Sequence, residues 1–266
     1  MPIYDEIFNM EGRLAIPGGS AMNSARAANW FLKHKQAEKR VTYFGAIGTD
    51  PKGETLAKSL EDDGVQANFH KDQETPTGTC AVLVINKDRA LCANLAAACK
   101  YSPDHLEANK AELANAKIIY STGFFITSSV PSLMTVAKYA NDNDIPFAFN
   151  LSAVFLIQFE LANVQAALEC ADFVFANEDE CSAYGKVLDM EGASRSDIAK
   201  GIAKSKKIGK RPRVVIATQG PLPVIVATSV DGAEATVVEY EVTALDQGKL
   251  VDTNGAGDSF VGAFLA

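Results

Sequence analysis

Short apolar, β-branched runs alternate with segments of helical period along most of this chain, and no other feature restricts its fold as strongly. Val41–Gly45, Ile118–Ser121, Phe147–Asn150, Phe173–Ala176 and Arg213–Thr218 read as buried strands. Between them, Met22–His34, Gly53–Asp63, Pro131–Asn141, Glu178–Tyr184 and Asp197–Lys207 carry helical periodicity. Ser194, three residues before Asp197, supplies a start signal close to a capping box. Strands separated by helices need crossover connections, so the expectation is an α/β fold with a mostly parallel sheet covered on both faces. Ligands of such sheets gather beyond the carboxyl ends of the strands.

Two segments break the alternation. Gly78–Ile85, a turn at Asn86–Arg89, and Ala90–Ala97 read as a hairpin without an intervening helix. It is either a projecting lid or an antiparallel edge of the main sheet. Val224–Ala227 and Thr236–Tyr240, around Asp231-Gly232, read as a second hairpin near the edge of the main sheet.

The balance of charge narrows the partners. Lys plus Arg number 25 against 33 Asp plus Glu, a formal net charge of −8, which argues against nucleic acid or an anionic membrane. With 266 residues, 47% of them hydrophobic, the chain can build one large α/β domain with a small appendage. No run of about 18 apolar residues and no basic, then apolar, start is present, so a soluble protein of the cytoplasm, or also the nucleus, is expected. Cys80, Cys92, Cys99, Cys170 and Cys181 are odd in number and form no CxxC, so reduced, mostly buried thiols are expected rather than disulfides or a zinc site. His34, His70 and His105 lack metal-ligand spacing.

Residues 252–264, DTNGAGDSFVGAF, place a polar turn and three small residues ahead of an apolar run able to open a helix. If it does, the N–H groups of Gly255, Ala256, Gly257 and Asp258 form an anion pocket at the positive end of the helix dipole. Asp258 would hold its carboxylate beside that pocket, where it could take a proton from an attacking hydroxyl. The same residues also suit a tight strand-to-helix turn in which Asp258 merely favours the dipole. Upstream, IPGGSAMNSARAAN at 16–29 puts Gly18 and Gly19 before a small-residue helix carrying Ser20 and Asn23. Asn23 could grip neighbouring sugar hydroxyls. Alternatively, Ser20 is an N-cap with Ala-rich packing behind it.

Both motifs resemble the signatures of the ribokinase-like (PfkB) family of carbohydrate and nucleoside kinases. The wording PGGSAMNSAR, with TPTGTCAVLV at 75–84, NLAAA at 94–98, STGFFIT at 121–127 and NLSAVF at 150–155, is most similar to its adenosine kinase branch, and these segments span most of the chain. The resemblance implies a three-layer ribokinase-like fold with a small β lid: a core of 19–74 and 99–266, and a lid of 1–18 and 75–98. It implies a monomeric enzyme that moves the γ-phosphoryl of ATP to the 5′-hydroxyl of adenosine with Mg2+. Asp258 is then the catalytic base, with Gly255, Ala256 and Gly257 as the anion hole. Gly19, Ser20, Asn23, Cys80, Leu91, Ala93, Leu95, Phe124, Phe155 and Asn254 hold the nucleoside, where hydrophobicity alone would assign the apolar ones to the core.

Further roles rest on the same resemblance. Arg89, otherwise a solvated turn residue, becomes the lid arginine that reaches the transferring phosphate. Asn177 and Glu180 match an NxxE element that positions magnesium through water, although first-turn acidity explains them equally. Thr218 and Gly220 lie in the loop near the nucleotide phosphates. No Walker GxxxxGK[ST] element is present. The resemblance also implies family segments before the Gly-Gly motif and beyond Ala266, one carrying an aspartate for the ribose hydroxyls, and low stability or activity without them. Val154 replaces a family proline. Another nucleoside or sugar as acceptor, or a non-catalytic nucleoside-binding relic, are the alternatives.

Overall fold

A computed structural model describes residues 6–7, 9–36, 40–85, 88–245, 248 and 253–266, without the side chains of Ile85, Asp88 and Arg89. In chain order the elements begin with α1 (Ser20–His34), β1 (Thr42–Gly48), α2 (Pro51–Asp63), β2 (Gln66–Asp72), β3 (Thr79–Ile85) and β4 (Asp88–Asn94). A 3-10 turn at Ala96–Cys99 precedes α3 (Pro103–Ala108), α4 (Ala111–Ala114), β5 (Ile119–Thr122) and α5 (Ile126–Asp142). Next come β6 (Phe147–Asn150), α6 (Val154–Phe159), α7 (Leu161–Cys170), β7 (Phe173–Ala176), α8 (Glu178–Val187) and α9 (Arg195–Lys204). The chain finishes with β8 (Arg213–Gln219), β9 (Leu222–Ser229), β10 (Ala235–Tyr240) and α10 (Ala256–Leu265). Contacts divide it into two compact units, Met1–Ser102 with Asp246–Ala266, and Pro103–Leu245.

The second unit holds a six-stranded sheet in the order β10-β9-β8-β7-β6-β5. β5 to β8 run parallel, with Ile119 opposite Phe147, Phe149 opposite Val174 and Val174 opposite Val215. β9 and β10 close one edge antiparallel, where the second hairpin was expected. Phe147, Ala148 and Phe149 are all fully buried. Because successive strand residues face opposite sides, this requires cover on both faces of the sheet. α5 and α7 pack on β6, α8 on β7 and β8, and α9 on β8, β9 and β10.

α5 begins before Pro131, where a helix start was expected, because the helix turns at Ser129 (φ −157°, ψ 91°). The Ser129 hydroxyl then sits 2.8 Å from that of Ser132, and the proline occupies the opening of the straight part. Ser194 is the N-cap of α9 and accepts from the Asp197 N–H at 3.1 Å. A residue hidden in the strand pattern, Arg213, is 1% exposed. Its guanidinium donates to the carbonyls of Leu168 and Ala171 at the end of α7, and of Ile202, Ser205 and Lys206 at and beyond the end of α9. A buried cation thereby donates to the carbonyls of two helix ends, where the dipoles favour positive charge.

In the first unit β1 and β2 form a parallel pair, Thr42 opposite Gln66 through Gly48 opposite Asp72. β2, QANFHKD, carries too little apolar alternation to be read as a strand. Its apolar residues join a core around Met22, Leu60 and Val65 that also takes Tyr43, Leu56 and Phe69. Asp50 caps α2 by accepting from the Gly53 N–H at 2.9 Å, and it accepts from the Thr77 N–H and hydroxyl at 2.8 and 2.6 Å. At the other end of α2, Asn29 and Lys33 of α1 donate to the Asp63 carbonyl. Among the described residues β3 and β4 pair only with each other, so the first hairpin is not an edge of the six-stranded sheet. The cysteines are all free, but only Cys170 and Cys181 are buried; Cys80 is exposed, against the expectation of mostly buried thiols.

Candidate active site

Within the first unit, the glycine turn does open a helix: Gly255 is the N-cap of α10, in the left-handed region at φ 68°. A side chain there would be strained, which explains glycine at the bend. Ala256 N–H is not free as expected, since it reaches the Thr253 carbonyl at 3.4 Å. Among the described residues, no backbone carbonyl accepts from the N–H of Gly257 or Asp258. The space outside Gly257 is open, with no atom within 4 Å of where a Cβ would stand. The N–H groups of Gly257 and Asp258 are thus left outward at the opening of α10, a setting that favours an anion, and Gly255 shapes the turn. Asn254 is exposed beside it.

Asp258, on the first turn of α10, is half-buried and points at α1. Ser20 Oγ donates to its Oδ1 at 2.7 Å, and Asn23 Nδ2 donates to its Oδ2 at 2.9 Å. α1 starts at Ser20 with Gly19 as N-cap and no side-chain cap, so Ser20 is not an N-cap. Its hydroxyl and the Asn23 amide, three residues apart on one helical face, converge on the acid. Nucleoside binding was expected of both, through sugar hydroxyls for Asn23, and no signal in the local sequence pairs them with Asp258.

The hairpin carries a second part. Cys80 lies opposite Ala93 and Val82 opposite Leu91 in its register, so these four side chains share one face, and all four residues are exposed. Cys80, Leu91 and Ala93 were expected at a purine; Val82 was missed, although period two from Cys80 identifies it. Leu95 follows β4 and is 43% exposed. The Arg89 side chain lies outside the described residues, as does Asp252.

In the second unit, Asn177 and Glu180 form a reciprocal capping box at the start of α8. Glu180 N–H donates to Asn177 Oδ1 at 2.8 Å, and Asn177 N–H donates to Glu180 Oε2 at 3.0 Å. Glu180 is 4% exposed, and burial pushes its carboxyl up to about 7, partly opposed by the N–H groups of Asn177 and Ser152 and assisted by Asp179 and Glu178. Ser152, in the left-handed region at φ 66°, was missed. The Thr218 hydroxyl reaches the Ala176 carbonyl at 3.4 Å, and Gly220 is exposed at φ 57°. Phe124 and Phe155, expected at a base, stand with ring centroids 6.3 Å apart and are 38% and 45% exposed. Rings exposed as a pair suit stacking on a flat ligand.

The sequence pattern of pfkB family carbohydrate kinases matches residues 12–266. The chain belongs to that family. Among relatives of this pfkB kinase, adenosine kinase 2 of Arabidopsis thaliana is 39% identical over 272 residues, covering 100% of this chain and 76% of the relative. Adenosine kinase of Dictyostelium discoideum is 37% identical over 270 residues, covering 100% and 76%. Among solved structures, adenosine kinase of Anopheles gambiae in complex with P1,P4-di(adenosine-5) tetraphosphate superposes with TM-score 0.91 at 39% identity, covering 99% of this chain and 76% of that one. The Schistosoma mansoni enzyme in complex with 2-fluoroadenosine gives TM-score 0.92 at 31% identity, with 99% and 76% covered. The fold is therefore ribokinase-like, and the chain is an ATP-dependent phosphotransferase.

A divalent cation was expected near Asn177 and Glu180. Among the described residues, no three His, Cys, Asp or Glu side chains are grouped to hold a metal. Glu180 has one oxygen engaged by Asn177 N–H and is the acidic group of the capping box. That donor set fits an ion that keeps several waters and takes its remaining ligands from phosphates, as magnesium does.

Proposed function

We propose that this chain transfers the γ-phosphoryl of ATP to the 5′-hydroxyl of adenosine, giving AMP and ADP. The observation that carries the reading is the presentation of Asp258 on the opening turn of α10, beside the amides of a glycine bend, in a chain 39% identical to an adenosine kinase over its whole length. The acceptor's O–H bond breaks as its proton passes to a carboxylate oxygen of Asp258. The freed oxygen forms a bond to the γ-phosphorus while the bond from that phosphorus to the β,γ-bridging oxygen breaks, and ADP leaves with the electron pair.

The Gly257 and Asp258 N–H groups stabilise charge on the transferring phosphoryl oxygens, and the α10 dipole adds to them. Asn177, Glu180, Thr218 and Gly220 serve the nucleotide phosphates, and Arg89 joins on closure of the hairpin. Magnesium, when bound through water near Glu180, supplies positive charge to those phosphates. In the first unit the apolar face of Cys80, Val82, Leu91 and Ala93, with Leu95, is a surface suited to a purine; in the second unit the Phe124 and Phe155 rings are another.

Transfer of label from γ-labelled ATP to adenosine tests the reading, run beside a panel of nucleosides and sugars. Label in AMP, with adenosine preferred over the panel, is expected. Label in a sugar phosphate instead, or ADP release that ignores every acceptor, overturns it.

A further inference from the structure

We propose that Ser20 is a positioning residue that fixes one oxygen of the Asp258 carboxylate, so that only the other oxygen is exchanged between Asn23 and the acceptor hydroxyl. This deepens the proposed function and rests on it for the role of Asp258. A carboxylate without partners has no fixed direction. Two equivalent oxygens on rotatable bonds present no fixed lone pair, and a general base acts only through a lone pair aimed at the proton it removes.

Here each oxygen has its own donor, with Ser20 Oγ on Oδ1 at 2.7 Å and Asn23 Nδ2 on Oδ2 at 2.9 Å. The two donors are not equivalent. Ser20 is short, and sits on the first turn of α1, so its hydroxyl reaches Asp258 with one rotor to set. Asn23 carries a longer amide, with a second N–H and a carbonyl able to turn to other polar groups. An arriving hydroxyl must displace a donor to reach the carboxylate, and the amide is the one that can find new partners among the hydroxyls of a polyol.

The packing beneath this pair makes the Ser20 contact rigid. Gly262, one turn beyond Asp258 on α10, faces Ser24, one turn beyond Ser20 on α1. A Cβ on Gly262 would stand 2.4 Å from the Ser24 carbonyl oxygen and 2.9 Å from the Ala28 nitrogen. The two helices therefore touch at backbone distance, and the Ser20 to Asp258 bond is the next rung of the same contact. Ser20 loses its hydroxyl without disturbing that lower rung, which makes it the informative substitution.

The test compares the parent chain with Ser20→Ala and Ser20→Thr by single-turnover phosphoryl transfer, by the KM for adenosine, and by crystal structures of all three without substrate. Ser20→Ala is expected to slow transfer about ten- to hundredfold, the effect of one hydrogen bond to a charged group, with KM changed by about twofold or less. Ser20→Thr, which keeps the hydroxyl, restores most of the rate. In the Ser20→Ala crystal the Asp258 carboxylate leaves the orientation it holds in the parent. An unchanged rate in Ser20→Ala, a loss carried by KM alone, or a threonine variant as slow as the alanine variant overturns the proposal. If the parent transfers no label to adenosine, the proposed function fails, and the crystals still decide this point: a carboxylate in the same rotamer with and without the Ser20 hydroxyl overturns it.

Discussion

Ser20 and Asp258 stand 238 residues apart in the chain, yet their side chains meet at 2.7 Å, hydroxyl to carboxylate oxygen. The contact joins the opening turns of two helices, α1 and α10. An acid that would otherwise be a favourable first-turn residue is thereby given a direction, and direction separates a general base from a solvated charge.

Asp258→Asn removes the proton acceptor while keeping an oxygen for Ser20. Turnover is expected to fall by about a hundred- to ten-thousandfold, the usual cost of losing a general base. Adenosine affinity, measured by calorimetry, stays within a fewfold of the parent. Near-normal turnover would take Asp258 out of the reaction.

Glu180 couples stability to pH. Its carboxyl titrates at 4.5 when unperturbed and at about 7 in the folded chain. Between those values the folded state binds more protons than the unfolded one, so stability falls as pH rises through that window. Glu180→Gln keeps an oxygen for the Asn177 N–H and has no charge to bury. Its unfolding free energy, from urea titrations at several pH values, is expected to lack this slope and to exceed the parent's at pH 8 by on the order of 2–3 kcal/mol. Parallel pH profiles for the two proteins would refute the assignment.

Arg213 is held by carbonyls of two helix ends, and burial pulls its pKa down to about 10. Lysine keeps the charge but presents one nitrogen where the guanidinium presents a planar fork. Arg213→Lys is expected to lose about 3 kcal/mol or more, because several buried carbonyls are left without donors. Chemical denaturation reads this directly, and a loss below about 1 kcal/mol would mean that water replaces the missing donors.

Asp50 serves two elements at once, capping α2 and holding Thr77 ahead of the hairpin. Its pKa is lowered, chiefly by the Thr77 hydroxyl. The stability it contributes is present above the unperturbed value of 3.8 and is lost as pH falls through its lower folded value. Asp50→Ala is expected to cost about 1–2 kcal/mol at neutral pH, measured by thermal unfolding. Exchange of the Thr77 amide with deuterium should quicken in the variant, and an unchanged rate would show that another acceptor has taken its place.

Local chemistry made much of this legible from residues alone. Strands such as Phe147–Asn150 open on consecutive apolar residues, Phe147 to Phe149, because both faces are covered there, and that pattern survives without knowledge of neighbours. The glycine bend before Asp258 is equally local: a left-handed φ at Gly255 and an acid on the following turn are properties of five consecutive residues. β2 was invisible for the opposite reason, since a half-buried, largely polar strand is specified by its partner β1 and not by its own period.

What the sequence determined, then, was the alternation, the glycine turn that opens α10 and the acid on its first turn, all set by backbone geometry within a few residues. The mutual capping of Asn177 and Glu180, three residues apart, is local in the same way. Only the tertiary structure decided that Ser20 and Asn23 reach Asp258 and that Arg213 joins two helix ends, because each depends on which donor lies within about 3 Å of which acceptor after separate segments pack, and such bonds carry no periodic trace along the chain.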